Sequence, residues 1–169
     1  MKIRRCWAMP SKNTFSINPI KELIDRYKET KSYMCIDPFA NNSKVANITN
    51  DLNIKYDTNY HLDAIKFLQL FKDKTIDCIL FDPPYSLRQL KECYEGVGLC
   101  LTQHNTQSFW ADCKNEIRRV VRNNGLVISC GWNTSGIGKS YGFEIVEILI
   151  VSHGGHHNDT LVTVERKVK

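Results

Sequence analysis

The sequence predicts an α/β fold in which a mostly parallel sheet closes on an antiparallel hairpin. Two observations predict it. Short apolar runs typical of strands alternate with amphipathic segments of helical spacing along most of the chain, which is the pattern of a doubly wound parallel sheet. The final two apolar runs, 143–151 and 160–167, are joined by only eight residues, whereas a parallel crossover needs about a dozen or more. The last pair is therefore predicted to be antiparallel.

Length and composition bound the organisation of the chain. Its 169 residues contain no Pro-, Gly- or Ser-rich linker, so we expect a single domain spanning 1–169. The 23 Lys and Arg residues against 18 Asp and Glu give a net charge of +5, which permits a polyanionic partner without requiring one. No apolar run reaches the ~18 residues that a membrane span needs, and the N-terminus lacks the apolar core of a secretory signal.

The cysteines indicate a reducing compartment. There are seven, and no two are spaced as Cys-x-x-Cys. A disulfide framework or a zinc ribbon would need another pattern. The histidines near residue 155 match no zinc spacing either. We therefore expect reduced thiols, a cytoplasmic protein and no bound metal.

The first half of the chain is predicted to hold two helices and three strands. Residues 1–18 show no clear periodicity, so no element is predicted there. Pro19 opens a helix whose apolar residues Ile20, Leu23, Ile24 and Tyr27 recur at helical spacing. The remaining elements are strands at 32–37, 46–50 and, with a weaker pattern, 55–62, followed by a second helix at 63–71.

The second half begins with a strong strand at 75–81, which Pro83 and Pro84 stop. Ser86 is placed to cap a helix that runs to about Tyr94. The polar segment 96–107 is predicted to be a loop. The later elements are a helix at 109–121 ended by Asn123-Asn124-Gly125, and strands at 126–132, 143–151 and 160–167.

The motif Asp82-Pro83-Pro84-Tyr85 directly follows the strand 75–81, at the carboxyl end where open α/β sheets bind ligands. It suits methylation of an exocyclic base amine, whose lone pair is delocalised into the ring. The Asp82 carboxylate and the Pro83 carbonyl can accept hydrogen bonds from the amine, and the prolines hold both acceptors rigid. Tyr85 can stack on the base, which must leave its duplex to be reached. The same four residues could also form a plain strand-ending turn.

This motif resembles motif IV of the amino-methyltransferases, above all those that methylate adenine N6 and cytosine N4 in DNA. The resemblance covers roughly residues 14–165 and is sharpest at 37–39 and 82–85. It implies a class I, Rossmann-like methyltransferase that uses S-adenosylmethionine as cofactor and binds DNA, with adenine N6 as the leading target. We expect a compact, phage-like enzyme.

The resemblance also implies a set of cofactor-binding residues. They are Phe15, Ile17 and Pro19 for motif X, Asp37, Pro38 and Phe39 for motif I, Asp51 for the cofactor ribose and Asp63 near the cofactor adenine. The motif X residues belong to an N-terminal segment and helix, 1–32, that precedes the first predicted strand.

The chain departs from the family in motif I and in size. The family continues motif I as DPFxGxG, whereas Ala40-Asn41-Asn42-Ser43 follows here and contains no glycine. Asparagine tolerates left-handed backbone angles, so Asn41 or Asn42 can partly replace a glycine. The short gap before the next strand leaves room for about one helical turn. We expect no separate target-recognition domain within these 169 residues, where only 86–108 could replace it, which implies loose specificity, a homodimer or a partner subunit.

Six further residues are candidates for contact with the substrate, because each is expected near the carboxyl edge of the sheet. They are Ser86, Trp132, Lys139, His153, Asn158 and Asp159. Lys139 belongs to 133–140, which nearly spells a P-loop but lacks the first glycine and precedes a strand. We therefore expect it to contact nucleic-acid phosphate rather than to bind a nucleotide triphosphate.

Two alternatives stay open. A motif I without glycines is also what a degenerate, non-catalytic relative would show, one that binds nucleic acid or a protein partner. The tetrapeptide would also serve an RNA base, and it does not distinguish adenine from cytosine.

Overall fold

The computed structural model describes residues 1–28, 33–101 and 103–168, without the side chains of 103–105. A single sheet of seven strands forms the centre of this part of the chain. The strands are β1 (Lys2–Trp7), β2 (Cys35–Asp37), β3 (Ile48–Thr49), β4 (Ile76–Phe81), β5 (Val121–Gly131), β6 (Phe143–Ser152) and β7 (Thr160–Lys167). Their order in the sheet is β1-β6-β7-β5-β4-β2-β3. Residue 32 of the predicted first strand and residue 102 of the predicted loop 96–107 lie outside the described residues.

The strand directions confirm the predicted architecture. β1 pairs with β6 in parallel, and β3, β2, β4 and β5 pair with one another in parallel. Only β7 is reversed among the described strands, because it pairs antiparallel with both β5 and β6. The carboxyl ends of β1 to β6 consequently meet at one edge of the sheet.

Helices cover both faces of the sheet. They are α1 (Asn18–Tyr27), α2 (Ala64–Gln69), α3 (Leu87–Glu95) and α4 (Gln103–Val120), with short 3-10 helices at Thr14–Ser16 and Lys139–Tyr141. Alternation along β4 shows the two layers: Cys78 and Leu80 pack on the side of α1, whereas Ile79 and Phe81 pack on the side of the other three helices. Among the described helices, none combines the length and the apolarity needed to cross a lipid bilayer.

The N-terminal strand β1 is an element that the sequence did not predict. It is the edge strand of the sheet, and its residues Ile3 and Trp7 are 59% and 64% exposed. Edge strands carry charged residues and lack a clear apolar alternation, and Arg4 and Arg5 interrupt the pattern here. Pairing with β6, rather than a local pattern, therefore forms this strand.

The connection between β2 and β3 holds no helix. All of residues 38–47 are described, and they form turns, so even the single helical turn expected there is missing. Asn41 has a φ of 49°, so one of the two asparagines considered for this segment does adopt the left-handed conformation.

The weak third strand predicted at 55–62 is reduced to one bridge between Asn50 and Tyr60. Polar side chains organise this region instead. Asn50 is fully buried and donates hydrogen bonds to the carbonyls of Pro38 and Leu62, at 3.1 and 2.9 Å. The prediction was wrong because the polar residues of this segment satisfy the loop backbone and leave little for a sheet ladder.

The boundary between α4 and β5 also differs from the prediction. α4 begins inside the segment 96–107, which was expected to be a loop, and runs directly into β5. Asn124, part of the predicted helix stop, lies within β5 with a φ of 63°. Lys167 of β7 caps the helix, since its ammonium donates hydrogen bonds to the carbonyls of Arg118 and Val121.

Candidate active site

The Asp-Pro-Pro-Tyr turn (residues 82–85, the DPPY turn) lies at the carboxyl end of β4, between β2 and β5, as predicted. Ser86 follows as the N-cap of α3 and accepts a hydrogen bond from the Gln89 N–H at 3.2 Å. The Gln89 side chain in turn accepts a hydrogen bond from the Tyr85 N–H at 2.7 Å. The start of α3 therefore holds the DPPY turn in one conformation.

Asp82 is half-buried and already has partners within the chain. Its Oδ1 accepts a hydrogen bond from the Tyr85 hydroxyl, and the Thr14 side chain also bonds to its carboxylate. Burial raises the pKa of Asp82, and the hydrogen bonds from Thr14 and Tyr85 partly offset that rise. The carboxylate is thus held in position by residues on both sides of the turn.

The two proline carbonyls of the turn differ. The Pro84 carbonyl accepts a hydrogen bond from the Trp110 Nε1 at 3.0 Å. No donor reaches the Pro83 carbonyl among the residues that the structure describes. The Pro83 carbonyl is therefore without a donor among the described residues, whereas the Pro84 carbonyl has one.

Tyr85 contacts one aromatic residue from the next strand. Its ring lies 5.3 Å from the Trp132 ring, centroid to centroid, at an interplanar angle of 65°. Trp132 follows β5 and is 51% exposed. Burial raises the pKa of Tyr85, and the neighbouring Asp82 charge raises it further. The Tyr85 hydroxyl therefore stays protonated and able to donate.

A cavity of about 530 Å³ lies on the β2–β3 side of the DPPY turn, and we call it the Asp51 cavity. Its wall includes Phe39 and Leu52, which are apolar, and Thr14 and Asp82, which are polar. Asp51 accepts hydrogen bonds from the N–H groups of Asn41 and Asn53, at 3.0 and 2.9 Å. Burial raises the pKa of Asp51, and these two hydrogen bonds lower it.

A second cavity, of about 400 Å³, lies on the β5 side of the turn, and we call it the Trp132 cavity. It shares Pro83, Pro84 and Tyr85 with the Asp51 cavity. Ser129 and Lys114 also line it. The DPPY turn is therefore a wall common to two cavities, each large enough for part of a nucleotide-sized ligand.

Asp37 is fully buried behind the Asp51 cavity and lines neither cavity. Its Oδ1 accepts a hydrogen bond from the Phe39 N–H at 2.9 Å, whereas its Oδ2 is buried without a partner. Burial raises the pKa of Asp37 well above its ordinary range, and the charges of Asp82 and Asp51 raise it further. The carboxyl groups of Asp37, Asp51 and Asp82, which lie in or behind the wall of the Asp51 cavity, thus all have raised pKa values.

The structure brings only some of the predicted cofactor residues to the Asp51 cavity. Phe39 and Asp51 line it, and Pro38 lines a small adjoining space of about 60 Å³. Phe15 and Ile17 do not reach it, because they are buried in the core beneath α1. Pro19 lines a separate groove beside β1 instead. From this N-terminal segment it is Thr14 that reaches the cavity.

Asp63 has a structural position that differs from the expected one. It is the N-cap of α2, and its Oδ1 accepts hydrogen bonds from the N–H groups of Ile65 and Lys66. Its Oδ2 accepts a hydrogen bond from the Tyr94 hydroxyl. Asp63 does not line the Asp51 cavity, so it is placed to stabilise a helix rather than to contact a ligand there.

Among the predicted substrate residues, Ser86 and Trp132 line the Trp132 cavity. The three residues of the β6–β7 hairpin lie at the same edge of the sheet but line neither cavity. His153 is buried, with Nδ1 2.8 Å from the Ala8 carbonyl and Nε2 2.8 Å from the Thr160 hydroxyl. Asp159 is 3.1 Å from the Ser152 hydroxyl, and Asn158 is exposed.

Lys139 lies away from the DPPY turn, which differs from the expected position. It opens the short 3-10 helix Lys139–Tyr141 that leads into β6, and the amino ends of the parallel strands form the opposite edge of the sheet. The glycine-rich loop before it is filled from within, because Glu165 accepts hydrogen bonds from the N–H groups of Ile137 and Gly138 at 2.6 and 2.9 Å. The N–H groups of the loop that resembles a P-loop are therefore already bonded to a carboxyl group of this chain.

Sequence reasoning did not identify Thr14, Ser129 and Lys114 as site residues. Ser129 is next to Phe81 in the β4–β5 register, so only strand pairing shows that it lies beside the DPPY turn. Lys114 is an ordinary lysine within α4, and no local pattern distinguishes it. Thr14 lies one residue before Phe15, the first predicted motif X residue. This position in the chain was the one sequence feature that could have indicated its place at the site.

No protein-family model matches the chain, and no curated protein matches its sequence. Solved structures do match its fold. TrmN from Thermus thermophilus has a TM-score of 0.59 and 17% identity, over 90% of this chain and 49% of that chain. The N-methyltransferase NodS from Bradyrhizobium japonicum WM9, solved with S-adenosyl-L-homocysteine, has a TM-score of 0.54 and 11% identity, over 94% of this chain and 90% of that chain.

A third match is the 1,6-didemethyltoxoflavin-N1-methyltransferase from Burkholderia thailandensis, solved with 1,6-didemethyltoxoflavin and S-adenosylhomocysteine. It has a TM-score of 0.52 and 11% identity, over 80% of this chain and 71% of that chain. The chain has a methyltransferase fold. This confirms the predicted Rossmann-like sheet with its antiparallel hairpin. The chain spans about half the length of TrmN, and at these identities the likeness establishes the fold alone.

Proposed function

We propose that this protein is an S-adenosylmethionine-dependent methyltransferase that acts on the exocyclic amine of a nucleic-acid base, with adenine N6 in DNA as the leading target. The observation that carries the proposal is the position of the DPPY turn between two cavities that share it. Methyl transfer needs the cofactor and the acceptor to be held next to each other. Two cavities that share the DPPY turn would hold one molecule on each side of it.

The Asp51 cavity fits the cofactor. S-adenosylmethionine carries two positive charges, on its sulfonium and its ammonium. Burial raises the pKa values of Asp37, Asp51 and Asp82, and a nearby cation would stabilise the ionised form of these carboxyl groups. Asp51 keeps lone pairs for the ribose hydroxyls, and Phe39 and Leu52 offer apolar surface for the adenine. When bound, the cofactor supplies an electrophilic methyl group on sulfur.

The Trp132 cavity fits the acceptor base. Tyr85 and Trp132 present aromatic rings on which a base can stack. The amine of the base would donate one hydrogen bond to Asp82 and one to the Pro83 carbonyl. To do so it takes the position at Asp82 that the Tyr85 hydroxyl holds in the free protein. These acceptors keep the amine lone pair out of the ring and direct it towards the Asp51 cavity.

The last step that a residue of this chain would perform is removal of a proton from the methylated amine. A methylated amine must lose one proton, and Asp82 is the carboxylate in hydrogen-bond reach in this arrangement. Burial raises its pKa, so it binds a proton more readily than an exposed aspartate does. Asp82 therefore serves first as an acceptor that orients the amine and then as the base that takes its proton.

Recognition of the surrounding polynucleotide belongs to the same proposal. The net charge of +5 allows weak, salt-dependent binding of nucleic acid. The segment between the DPPY turn and β5 consists mainly of α3 and α4, which leaves little chain for reading a target sequence. We therefore propose that a homodimer or a partner subunit supplies sequence specificity, and that the reaction takes place in the cytoplasm.

The proposal is tested by two measurements on the full chain. Calorimetry with S-adenosylmethionine and S-adenosylhomocysteine should show binding that weakens in Asp51→Ala. Transfer of a radiolabelled methyl group should then be measured on DNA and on RNA of the same sequence, with Asp82→Ala as the inactive control. Equal incorporation by the wild type and Asp82→Ala would remove the assignment of the DPPY turn as the active site.

A degenerate, non-catalytic relative is the second candidate, and one observation favours it. Asp82 is satisfied by Thr14 and Tyr85 within the chain, so the carboxylate has a structural use without any substrate. This candidate predicts binding of nucleic acid or a protein partner with no cofactor binding. Calorimetry with S-adenosylmethionine at millimolar concentration separates the two candidates.

A further inference from the structure

The Trp132 cavity contains a buried hydroxyl that has no partner. Ser129 is 6% exposed, it lines the cavity, and its Oγ forms no hydrogen bond with the residues described. Buried polar groups in folded proteins almost always have a partner, so an exception calls for a specific explanation. A ligand that brings an acceptor to the floor of this cavity would explain it.

Lys114 adds a second donor to the same cavity. It belongs to α4, is half-buried and lines the same cavity as Ser129. Its ammonium lies 5.9 Å from the centroid of the Tyr141 ring. The ion pairs among the described residues do not include Lys114, although it feels the charge of Glu165. The nearby Glu165 is occupied by the N–H groups of Ile137 and Gly138. The hydrogens of Lys114 are therefore free for a ligand.

The polar groups of the cavity are separated by type. At the DPPY turn the groups proposed to bind the amine are acceptors: the Pro83 carbonyl, and the Asp82 carboxylate, which lines the neighbouring Asp51 cavity and holds the Tyr85 hydroxyl in the free protein. Ser129 and Lys114 are donors. A planar ring that fits this arrangement needs hydrogens at one edge and lone pairs at another. An exocyclic amine supplies the hydrogens. Adenine N3 and cytosine O2 supply lone pairs on an edge remote from that amine.

We propose that Ser129 and Lys114 are specificity-determining residues for the acceptor atom on the edge of the base remote from its amine, adenine N3 or cytosine O2: Ser129 donates a hydrogen bond to that atom, and Lys114 brings its positively charged donor group beside it. This inference rests on the proposed function, since it takes the Trp132 cavity as the base pocket. It assigns a recognition role to two residues outside the DPPY turn. A ring that carries the amine but lacks the remote acceptor is rejected, because it leaves the buried Ser129 hydroxyl and the half-buried Lys114 ammonium without an acceptor.

The experiment measures discrimination between bases of the same shape. The full chain is titrated with single-stranded thymidine heptamers that carry one central adenine or 3-deazaadenine, and in a second arm cytosine or 2-thiocytosine. Quenching of Trp110 and Trp132, which both line the cavity, reports binding. The wild type should prefer the normal base to its altered form about tenfold in at least one arm, the size of one hydrogen-bonded contact to a base.

Four variants identify the source of that preference. Ser129→Ala and Lys114→Met should each reduce the preference to about twofold or less, a change that a general loss of stability would not produce. Lys114→Arg should keep most of it, because it keeps a donor. Lys91→Met, which removes an exposed lysine of α3 outside both cavities, should leave it unchanged. Thermal melting of each variant checks that the fold is retained.

The outcomes separate this inference from the proposed function. A preference in the adenine arm or the cytosine arm that both variants lose supports the inference and identifies the base. No preference in either arm, or a preference that both variants keep, overturns it. Absence of S-adenosylmethionine binding and methyl transfer in the same wild-type sample would overturn the proposed function, while the heptamer titrations would still decide the role of Ser129 and Lys114.

Discussion

The hydroxyl of Tyr85 donates a hydrogen bond to the carboxylate of Asp82 within the same four-residue turn. The ring of Tyr85 meanwhile lies against Trp132 on the other side. One side chain therefore connects the carboxylate proposed to orient the amine with the aromatic wall proposed to hold the base. An incoming amine must replace the Tyr85 hydroxyl at Asp82, so the free protein keeps its acceptor aligned until the substrate arrives.

Substitutions in the DPPY turn should separate these two roles. Asp82→Ala is expected to abolish methyl transfer, because the amine loses its acceptor and its base. Tyr85→Ala should weaken base binding by ~1–3 kcal/mol through lost stacking. Tyr85→Phe keeps the ring and should keep most of the affinity for the base. Radiolabelled methyl incorporation and base binding are measured for each variant. A fully active Asp82→Ala would contradict the expectation.

Asp51 and Asp63 should respond differently to the cofactor. S-adenosylmethionine should raise the melting temperature of the wild type by mass action. Asp51→Ala should reduce that rise, since Asp51 lines the cavity. Asp63→Ala should lower the melting temperature of the free protein, because loss of an N-cap costs about 1 kcal/mol, but it should keep the cofactor-induced rise. A reversed pattern would place the cofactor nearer Asp63.

Thr14 should set the pH dependence of the reaction. Its hydrogen bond lowers the pKa of Asp82 against the effect of burial. Thr14→Val removes that bond, so the pKa of Asp82 should rise and the carboxylate form should appear at higher pH. The acidic limb of the kcat/KM profile is therefore expected to move upward. Thr14→Ser keeps the hydroxyl and serves as the control, and an identical profile for all three proteins would exclude the role of Thr14.

Asp37 should make stability fall as the pH rises. Its pKa in the folded state is raised by burial, so the folded protein keeps a proton that the unfolded chain has already lost. The free energy of unfolding should therefore fall as pH rises from about 4, the ordinary aspartate value, through the raised folded value. Asp37→Asn should be more stable than the wild type near neutral pH and similar near pH 3. Urea denaturation across this range measures it, with Asp25→Asn, at an exposed position, as the control.

Gly136 should be more sensitive to substitution than Gly98. Both have positive φ angles, 51° and 76°, so alanine is strained at either position. A Cβ at Gly136 would also collide with the Glu165 carboxylate, whereas one at Gly98 meets nothing within 4 Å. Gly136→Ala should therefore lower the melting temperature more than Gly98→Ala does. Equal losses would show that Glu165 moves aside freely.

Local sequence patterns were sufficient for the elements whose side chains alternate clearly. The buried run of β4 and the two prolines after it located the DPPY turn correctly, because a strand buried on both faces must end where proline removes a backbone donor. The amphipathic spacing after Pro19 likewise predicted α1. Patterns failed at β1, an edge strand that forms by pairing with β6, and at Asn124, where a left-handed residue lies inside a strand.

The sequence by itself determined the fold class, the position of the DPPY turn and the acidic residue Asp51 beside it. Only the tertiary structure decided which other residues share the site. Ser129 reaches the turn through strand register and Lys114 through the packing of α4, whereas Lys139 is carried to the opposite edge by the direction of β6. The physical reason is that local interactions specify helices, strands and turns, while the distance between residues far apart in the chain depends on how those elements pack.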